Sequence, residues 1–266
     1  RGEVSRISRR IRSRDFPAAR RYLARRARGT PCETSGKVDV TTTEIRCRMD
    51  IEALRLAWRP ASAGERLVVG TSTREGDTYS FRYDGADLEK AVQLGFQGYP
   101  GMSVDRTTIW NGRSMEAFRA RLPQPKRPDR DHLLGLWGVA PDESDPFVLL
   151  GATGGRLVTD AFEFLPVLRP VAGTRFLTPV AGFRYYDGAV SLPGVPAGTA
   201  FQPVPEPSNS FDPRAVRLEF QGQLVGYLRK VVSDGALRAR EARLELACTL
   251  ARATTGAGPD DVVVEV

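Results

Sequence analysis

Ala181–Val231, AGFRYYDGAVSLPGVPAGTAFQPVPEPSNSFDPRAVRLEFQGQLVGYLRKV, is the stretch that decides the fold. Phe201 to Val204 and Val216 to Phe220 are short runs of β-type composition, Gly222 marks a turn, and Leu224 to Leu228 is a third run. All are too short for helices and are bounded by turn formers, so they predict a small antiparallel barrel or meander. Between the first two runs lies Pro205-Glu206-Pro207-Ser208-Asn209-Ser210-Phe211-Asp212-Pro213. That density of turn residues excludes a helix, yet the loop carries a phenyl ring and a carboxylate. A ring in such a loop is a candidate binding platform.

The Arg184-Tyr185-Tyr186 element, the Pro207-x-Asn209-x-Phe211-Asp212-x-x-Ala215-Val216 loop and the Gly226-Tyr227-Leu228 run together resemble a HIRAN domain. The resemblance implies an OB-like β-barrel which, in helicase-associated members of that family, captures the 3′-hydroxyl end of single-stranded DNA. Stand-alone bacterial members lend no assigned role. Carried over by position, the resemblance puts Arg184, Tyr185 and Tyr186 at the pocket with Asn209 and Tyr227, and Phe211 where the family usually has a stacking tyrosine. Asp212 would receive the terminal hydroxyl, and Arg229 and Lys230 would meet phosphate. Arg214 stands where an asparagine is more usual. The residue chemistry agrees with this reading, because a single-strand site wants aromatic faces for bases, a few cations for the backbone and a small barrel that supplies a groove. A carboxylate beside such a groove repels phosphate, so Asp212 fits there as an acceptor for a sugar hydroxyl or a base. The same residues also fit a plainer role: Asp212 before Pro213 is a common turn initiator, and the three tyrosines suit a barrel wall with hydroxyls reaching the surface.

Working outward, Phe176 to Phe183 reads as the first strand of this C-terminal domain, after a short Pro170–Thr174 linker. Val231 to Ala253 has helical spacing with Leu237, Leu244, Ala247 and Leu250 on one face, and Val262 to Val264 reads as a terminal strand after a Gly256–Pro259 stop. Upstream, LRLAW, RLVVGTS and YSFRY between Leu54 and Tyr83 alternate as three antiparallel strands. A helix is expected over Ala86–Gln93, a Gly/Pro loop over Gly95–Met102, and three short helices over Ser114–Arg121, Arg130–Leu136 and Asp145–Ala152. A further strand is expected over Arg156–Pro166. Within this part, Tyr79-x-Phe81-x-Tyr83-Asp84, Phe118-x-x-x-Leu122-Pro123, Arg130 and Asp145-Pro146-Phe147-x-Leu149-Leu150 resemble the N-terminal domain of HipA-type proteins. That resemblance implies an interaction or regulatory module, without the kinase domain, since nothing downstream has a phosphate loop or a catalytic aspartate in suitable context. The expected fold class is therefore α+β: residues 1–48 an Arg-rich disordered extension, 49–170 a HipA-N-like α+β domain of antiparallel strands and short helices, and 171–266 a HIRAN-type OB-like barrel with a C-terminal helix.

Charge divides along the same lines. The chain has 266 residues and a net charge of +7, but residues 1 to 48 hold 13 Arg and one Lys against five acidic residues, while the remainder holds 25 basic and 27 acidic. Residues 172 to 266 carry ten of each, so a nucleic-acid site there has to be a local pocket, which suits end capture better than duplex binding. Residues 1 to 48 read either as an arm that binds nucleic acid or acidic lipid, or as an extension upstream of a native start at Met49, where globular patterning begins. No apolar run approaches the ~20 residues of a spanning helix, and no leader pattern is present, so a cytoplasmic protein without membrane attachment is expected. Cys32, Cys47 and Cys248 are odd in number and widely spaced, which fits a reducing compartment and suggests neither disulfides nor zinc. His132 is the only histidine and sits on a predicted helix, and no Walker, Rossmann or kinase motif occurs. The acidic pairs Asp142-Glu143 and Asp260-Asp261 fall in loops, where solvation explains them better than a nuclease site. The expectation is a non-enzymatic protein with no cofactor or metal that binds the 3′ end of single-stranded DNA and docks a protein partner through residues 49–170. The alternative is a protein-interaction or antitoxin-like regulator.

Overall fold

A computed structural model describes residues 47–61, 66–186, 192, 194–253 and 262–266. Residues 1–46 of the extension expected over 1–48, the Gly256–Pro259 stop and the Asp260-Asp261 pair lie outside the described residues. The chain is mixed α and β, with two larger antiparallel sheets, a two-stranded ribbon and a few short helices.

The first sheet grows from the alternating run before Tyr83. β1 (Ile51–Trp58), β2 (Leu67–Glu75) and β3 (Thr78–Arg82) pair as consecutive antiparallel strands, with a bulge after Leu56. The short ribbon β4 (Gly98–Tyr99) with β5 (Met102–Ser103) follows α1 (Leu88–Gln93), so the glycine- and proline-rich Gly95–Met102 stretch is a tight hairpin. The Tyr83 hydroxyl fixes it, donating to the Met102 carbonyl at 2.7 Å and accepting from the Tyr99 amide at 2.8 Å. β6 (Trp110–Asn111) edges the sheet beside β3, and α2 (Arg113–Arg119), α3 (Arg130–Gly135) and α4 (Pro146–Thr153) come next. Asp145 caps α4 by accepting from the Phe147 amide at 2.8 Å, with Pro146 in the first turn, where its missing N–H is harmless. The final strand of this sheet, β7 (Phe162–Leu168), pairs with β1 to give the order β6-β3-β2-β1-β7. It begins later than expected, because Arg156 to Ala161 is a turn in which Asp160 binds Arg121. Phe118 centres an aromatic cluster, 5.4 Å from Phe81, 5.0 Å from Tyr99 and 4.7 Å from Phe164 between ring centroids.

Chain between residues 169 and 176 crosses to the second sheet, whose order is β11-β10-β9-β12-β13-β8. Its members are β8 (Leu177–Pro179), β9 (Ala200–Pro205), β10 (Val216–Phe220), β11 (Gln223–Tyr227), β12 (Cys248–Ala253) and β13 (Val262–Glu265). The sheet curls into a half-barrel, bringing its two edges together where Ala181, just past β8, pairs with Tyr227 at the end of β11. Two backbone hydrogen bonds make that bridge, Ala181 N to Tyr227 O at 2.8 Å and Tyr227 N to Ala181 O at 2.9 Å.

Two further spans in the second half differ from expectation. The Phe176–Phe183 strand is shorter, ending at Pro179, and Phe183–Tyr185 forms a 3₁₀ turn after Gly182. The helix expected over Val231–Ala253 is α5 (Lys230–Glu241) only. Arg243 takes a left-handed φ of 61° and turns the chain, and Cys248–Ala253 pairs as β12 between β9 and β13, burying Cys248 and Leu250 at the strand period of two. α5 turns Val232, Ser233 and Ala236 inward and lies against β7, with Arg238 reaching Glu52 at 2.9 Å. Residues 47 and 48, expected in the disordered extension, belong instead to the fold: the Cys47 amide donates to the Gly138 carbonyl at 2.6 Å, and Arg48 bridges Arg175. Among the described residues no helix is long and apolar enough to cross a membrane.

Candidate functional site

The loop between β9 and β10 is built by its own side chains. Asn209 Oδ1 accepts from the Phe211 and Asp212 amides at 3.0 and 3.1 Å, and Asp212 Oδ1 accepts from the Arg214 amide at 2.9 Å. The Glu206 amide donates to the Ala215 carbonyl at 2.9 Å, closing the loop at its base. This is the side-chain-to-backbone chemistry that makes Asn and Asp turn residues. Its result is a fixed loop that holds the Phe211 ring outward, 92% exposed.

Glu206 is the hub. Its Oε2 accepts from Asn209 Nδ2 at 2.6 Å and from the Tyr227 hydroxyl at 3.0 Å, and Arg217 Nη1 lies 3.4 Å from Oε1. The Asn209 hydrogen bond holds this carboxyl below its ordinary value against the burial that opposes it, with Tyr227 and Arg217 adding to the effect. Burial pushes the Tyr227 phenol up to about 12, and the hydrogen bond to Glu206 and the neighbouring Tyr186 add to the shift. Tyr227 is therefore a neutral donor whose hydroxyl is committed to Glu206. Its ring meets that of Tyr186 edge-on at 5.5 Å. Tyr186 follows the 3₁₀ turn that carries Arg184, whose guanidinium lies 5.7 Å from the Phe183 ring centroid, and Tyr185, 65% exposed.

Tyr186, Tyr227, Asn209, Phe211 and Asp212 are thus linked through one contact chain, with Arg184 and Tyr185 adjoining it. Arg229 is directed elsewhere: it precedes the first residue of α5 and its guanidinium forms an ion pair with the buried Glu163 of β7. Lys230 is exposed at the start of α5. Arg214 reaches across to Asp234 of α5. The expected set lacks Glu206 and Arg217; the one hint in the sequence was an acid held between Pro205 and Pro207, where a solvated turn is the ordinary reading. A cavity of about 470 Å³ at the crossing between sheets has largely apolar walls, including Pro170, Phe176, Val232, Ala236 and Leu246, and touches none of the nine expected site residues. No three His, Cys, Asp or Glu side chains among the described residues come together as a metal site. Comparison with protein-family models, with curated proteins and with solved structures finds no match for this chain.

Proposed function

We propose that this chain is a non-enzymatic nucleic-acid-binding protein whose curled second sheet is a HIRAN-type, OB-like barrel taking the 3′-hydroxyl end of single-stranded DNA. The observation that carries the reading is the pair of outward rings on fixed supports, Phe211 at 92% and Tyr185 at 65% exposure, beside a half-buried tyrosine pair. Large apolar rings held in water by a hydrogen-bonded loop give up burial that a core position would have supplied, and base stacking recovers it. Asp212 uses Oδ1 on the Arg214 amide, and Oδ2 is the oxygen suited to a sugar hydroxyl. Arg184 supplies a cation at the same turn. Equal numbers of acidic and basic residues across 172–266 give this part no net field, so recognition is local and suits a strand end better than a duplex. The HipA-like part over residues 49–170 serves as the dock for a protein partner.

Fluorescence anisotropy of the full chain with a labelled single-stranded oligonucleotide tests this. Phe211→Ala and Tyr185→Ala should each weaken binding by ~1–3 kcal/mol through lost stacking, and a duplex of the same sequence should bind more weakly than the single strand. If both substitutions leave the affinity unchanged, the rings are not a base platform and the protein-interaction reading takes its place.

A further inference from the structure

Glu163 on β7 is 2% exposed, and three arginines converge on it from separate parts of the chain. Arg66, at the entrance to β2, brings Nε to 2.5 Å from Oε2, and Arg156, beyond α4, brings Nε to 3.9 Å from Oε1. Arg229, leading into α5, reaches Oε1. A fourth, Arg59, follows β1 directly after Trp58, which pairs with Leu67 next to Arg66, and it is near enough for its charge to act on the Arg66 guanidinium. Arg59 also donates its amide to the Ala161 carbonyl at 3.0 Å, on the β7 side.

One buried carboxylate needs a counter-charge, and one or two guanidinium groups supply it. Even without Arg156, which also lies over the Trp137 ring, Arg66, Arg229 and Arg59 bring three positive charges beside one acid, and like charges crowded at neighbouring strand ends destabilise a sheet. The Arg66 guanidinium is held below its ordinary value, by burial first; Glu163 pulls the other way, while Arg229, Arg156 and Arg59 add to the lowering. Burial grades outward from the acid, at 2%, to Arg229 and Arg156 at 25% and 26% and Arg66 at 40%, so Glu163 forms a floor and the guanidinium groups a rim. The Arg66 and Arg229 guanidinium groups have five N–H donors each, and a carboxylate with two oxygens cannot take them all. Planar forks of this kind match the tetrahedral oxygens of a phosphoryl group, and a dianion offsets the surplus charge.

We propose that the arginine rim over Glu163 is a phosphoryl-binding site at the junction of the first sheet and α5. It stands apart from the strand-end reading: Arg59, Arg66 and Arg156 have no part there, and the test uses no DNA strand. Thermal unfolding of the full chain is followed with increasing inorganic phosphate, against chloride at matched ionic strength, for the native chain and for Arg59→Gln and Arg66→Gln. Phosphate also stabilises proteins by exclusion from their surfaces, and the variants measure that contribution. The native chain should gain several degrees in Tm as phosphate rises, and both variants should lose most of that gain while still unfolding cooperatively. Should Arg66→Gln fail to fold, Arg59→Gln, which removes an exposed side chain with no ion pair to Glu163, decides alone. A nucleoside monophosphate in the same assay separates the sources: stabilisation at lower concentration than phosphate assigns the site to a nucleotide, equal potency to the free anion. Equal phosphate dependence in the native chain and Arg59→Gln would overturn the proposal, as would no dependence in the native chain.

Discussion

Gly226→Ala should open the curled sheet. A Cβ at this position would lie 2.7 Å from the Ala181 carbonyl oxygen, 2.6 Å from Val180 Cγ1 and 3.3 Å from Phe183 Cα. That carbonyl accepts the Tyr227 amide at 2.9 Å, so the methyl group displaces the oxygen on which the bridge between the two edges depends. Losing two backbone hydrogen bonds is worth about 2 kcal/mol, and forcing a methyl into a closed contact adds about 1–3 kcal/mol. The sum, about 3–5 kcal/mol, corresponds to a fall in Tm of roughly 10 °C for a domain of this size. Differential scanning calorimetry reads it directly. Val180→Ala in the same chain removes the Cγ1 clash but leaves the carbonyl, so the double variant should recover only a minor part of the loss. Gly222→Ala has no atom within 4 Å of its Cβ and carries only the strain of a φ of 76°, so it should cost about 1 kcal/mol. A Gly226→Ala chain that melts with the native one, or full recovery in the double variant, would refute the argument that backbone contact at Ala181 joins the edges.

Phe211→Ala separates binding from stability: with the ring 92% exposed, Tm should stay within the range of a surface change while the affinity for single-stranded DNA falls. Arg121 is buried and holds Asp160 through two hydrogen bonds of 2.8 and 2.6 Å, with a third donated to the Gly155 carbonyl at 2.6 Å. Arg121→Gln should destabilise by about 3 kcal/mol, as removal of one partner of a buried pair does. Burial raises the Asp160 pKa, but hydrogen bonds from Arg121 and the Phe162 amide outweigh it and hold the carboxyl below its ordinary value. The stability it contributes is present above the unfolded value of ~3.9 and is lost as pH falls through the lower folded value, so Arg121→Gln should flatten the acid limb of a stability-versus-pH curve. Burial pushes the Cys47 and Cys248 thiols up to about 12, with Glu143 adding to the shift at Cys47, so iodoacetamide at mildly alkaline pH should label both only on unfolding, as read by peptide mass spectrometry.

Local patterns were legible in the sequence and long-range ones were not. Alternation between Leu54 and Tyr83 marked β1, β2 and β3, and Asp145-Pro146 marked the start of α4, because period and cap chemistry act within a few residues. The run after Glu241 misled: LELACTLARA is rich in helix formers, and no Gly or Pro marks the turn at Arg243. Pairing with Phe201 and Val264 decides the state of Cys248–Ala253, and pairing partners so distant leave no local signature. For the same reason the loop was legible as a turn bearing Phe211, whereas Glu206 was not visible as a hub, since Tyr227 and Arg217 reach it from two other strands. Arg229 was readable as a cation beside a strand end, but Glu163, its counter-charge 66 residues away, was not.

Capture of a strand end is tested most directly by the chemistry at that terminus. The full chain is titrated with two labelled single-stranded oligonucleotides of one sequence, one ending in a 3′-hydroxyl and the other in a 3′-phosphate, whose added charge favours the arginine-rich parts of the chain and so works against the expected preference. With Asp212 accepting the terminal hydroxyl, phosphorylation exchanges a charge-assisted hydrogen bond for like-charge repulsion, and the hydroxyl end should bind at least ~10-fold tighter. Asp212→Ala should erase that preference, leaving the two ends alike. Equal affinity for the two ends in the native chain would contradict end capture.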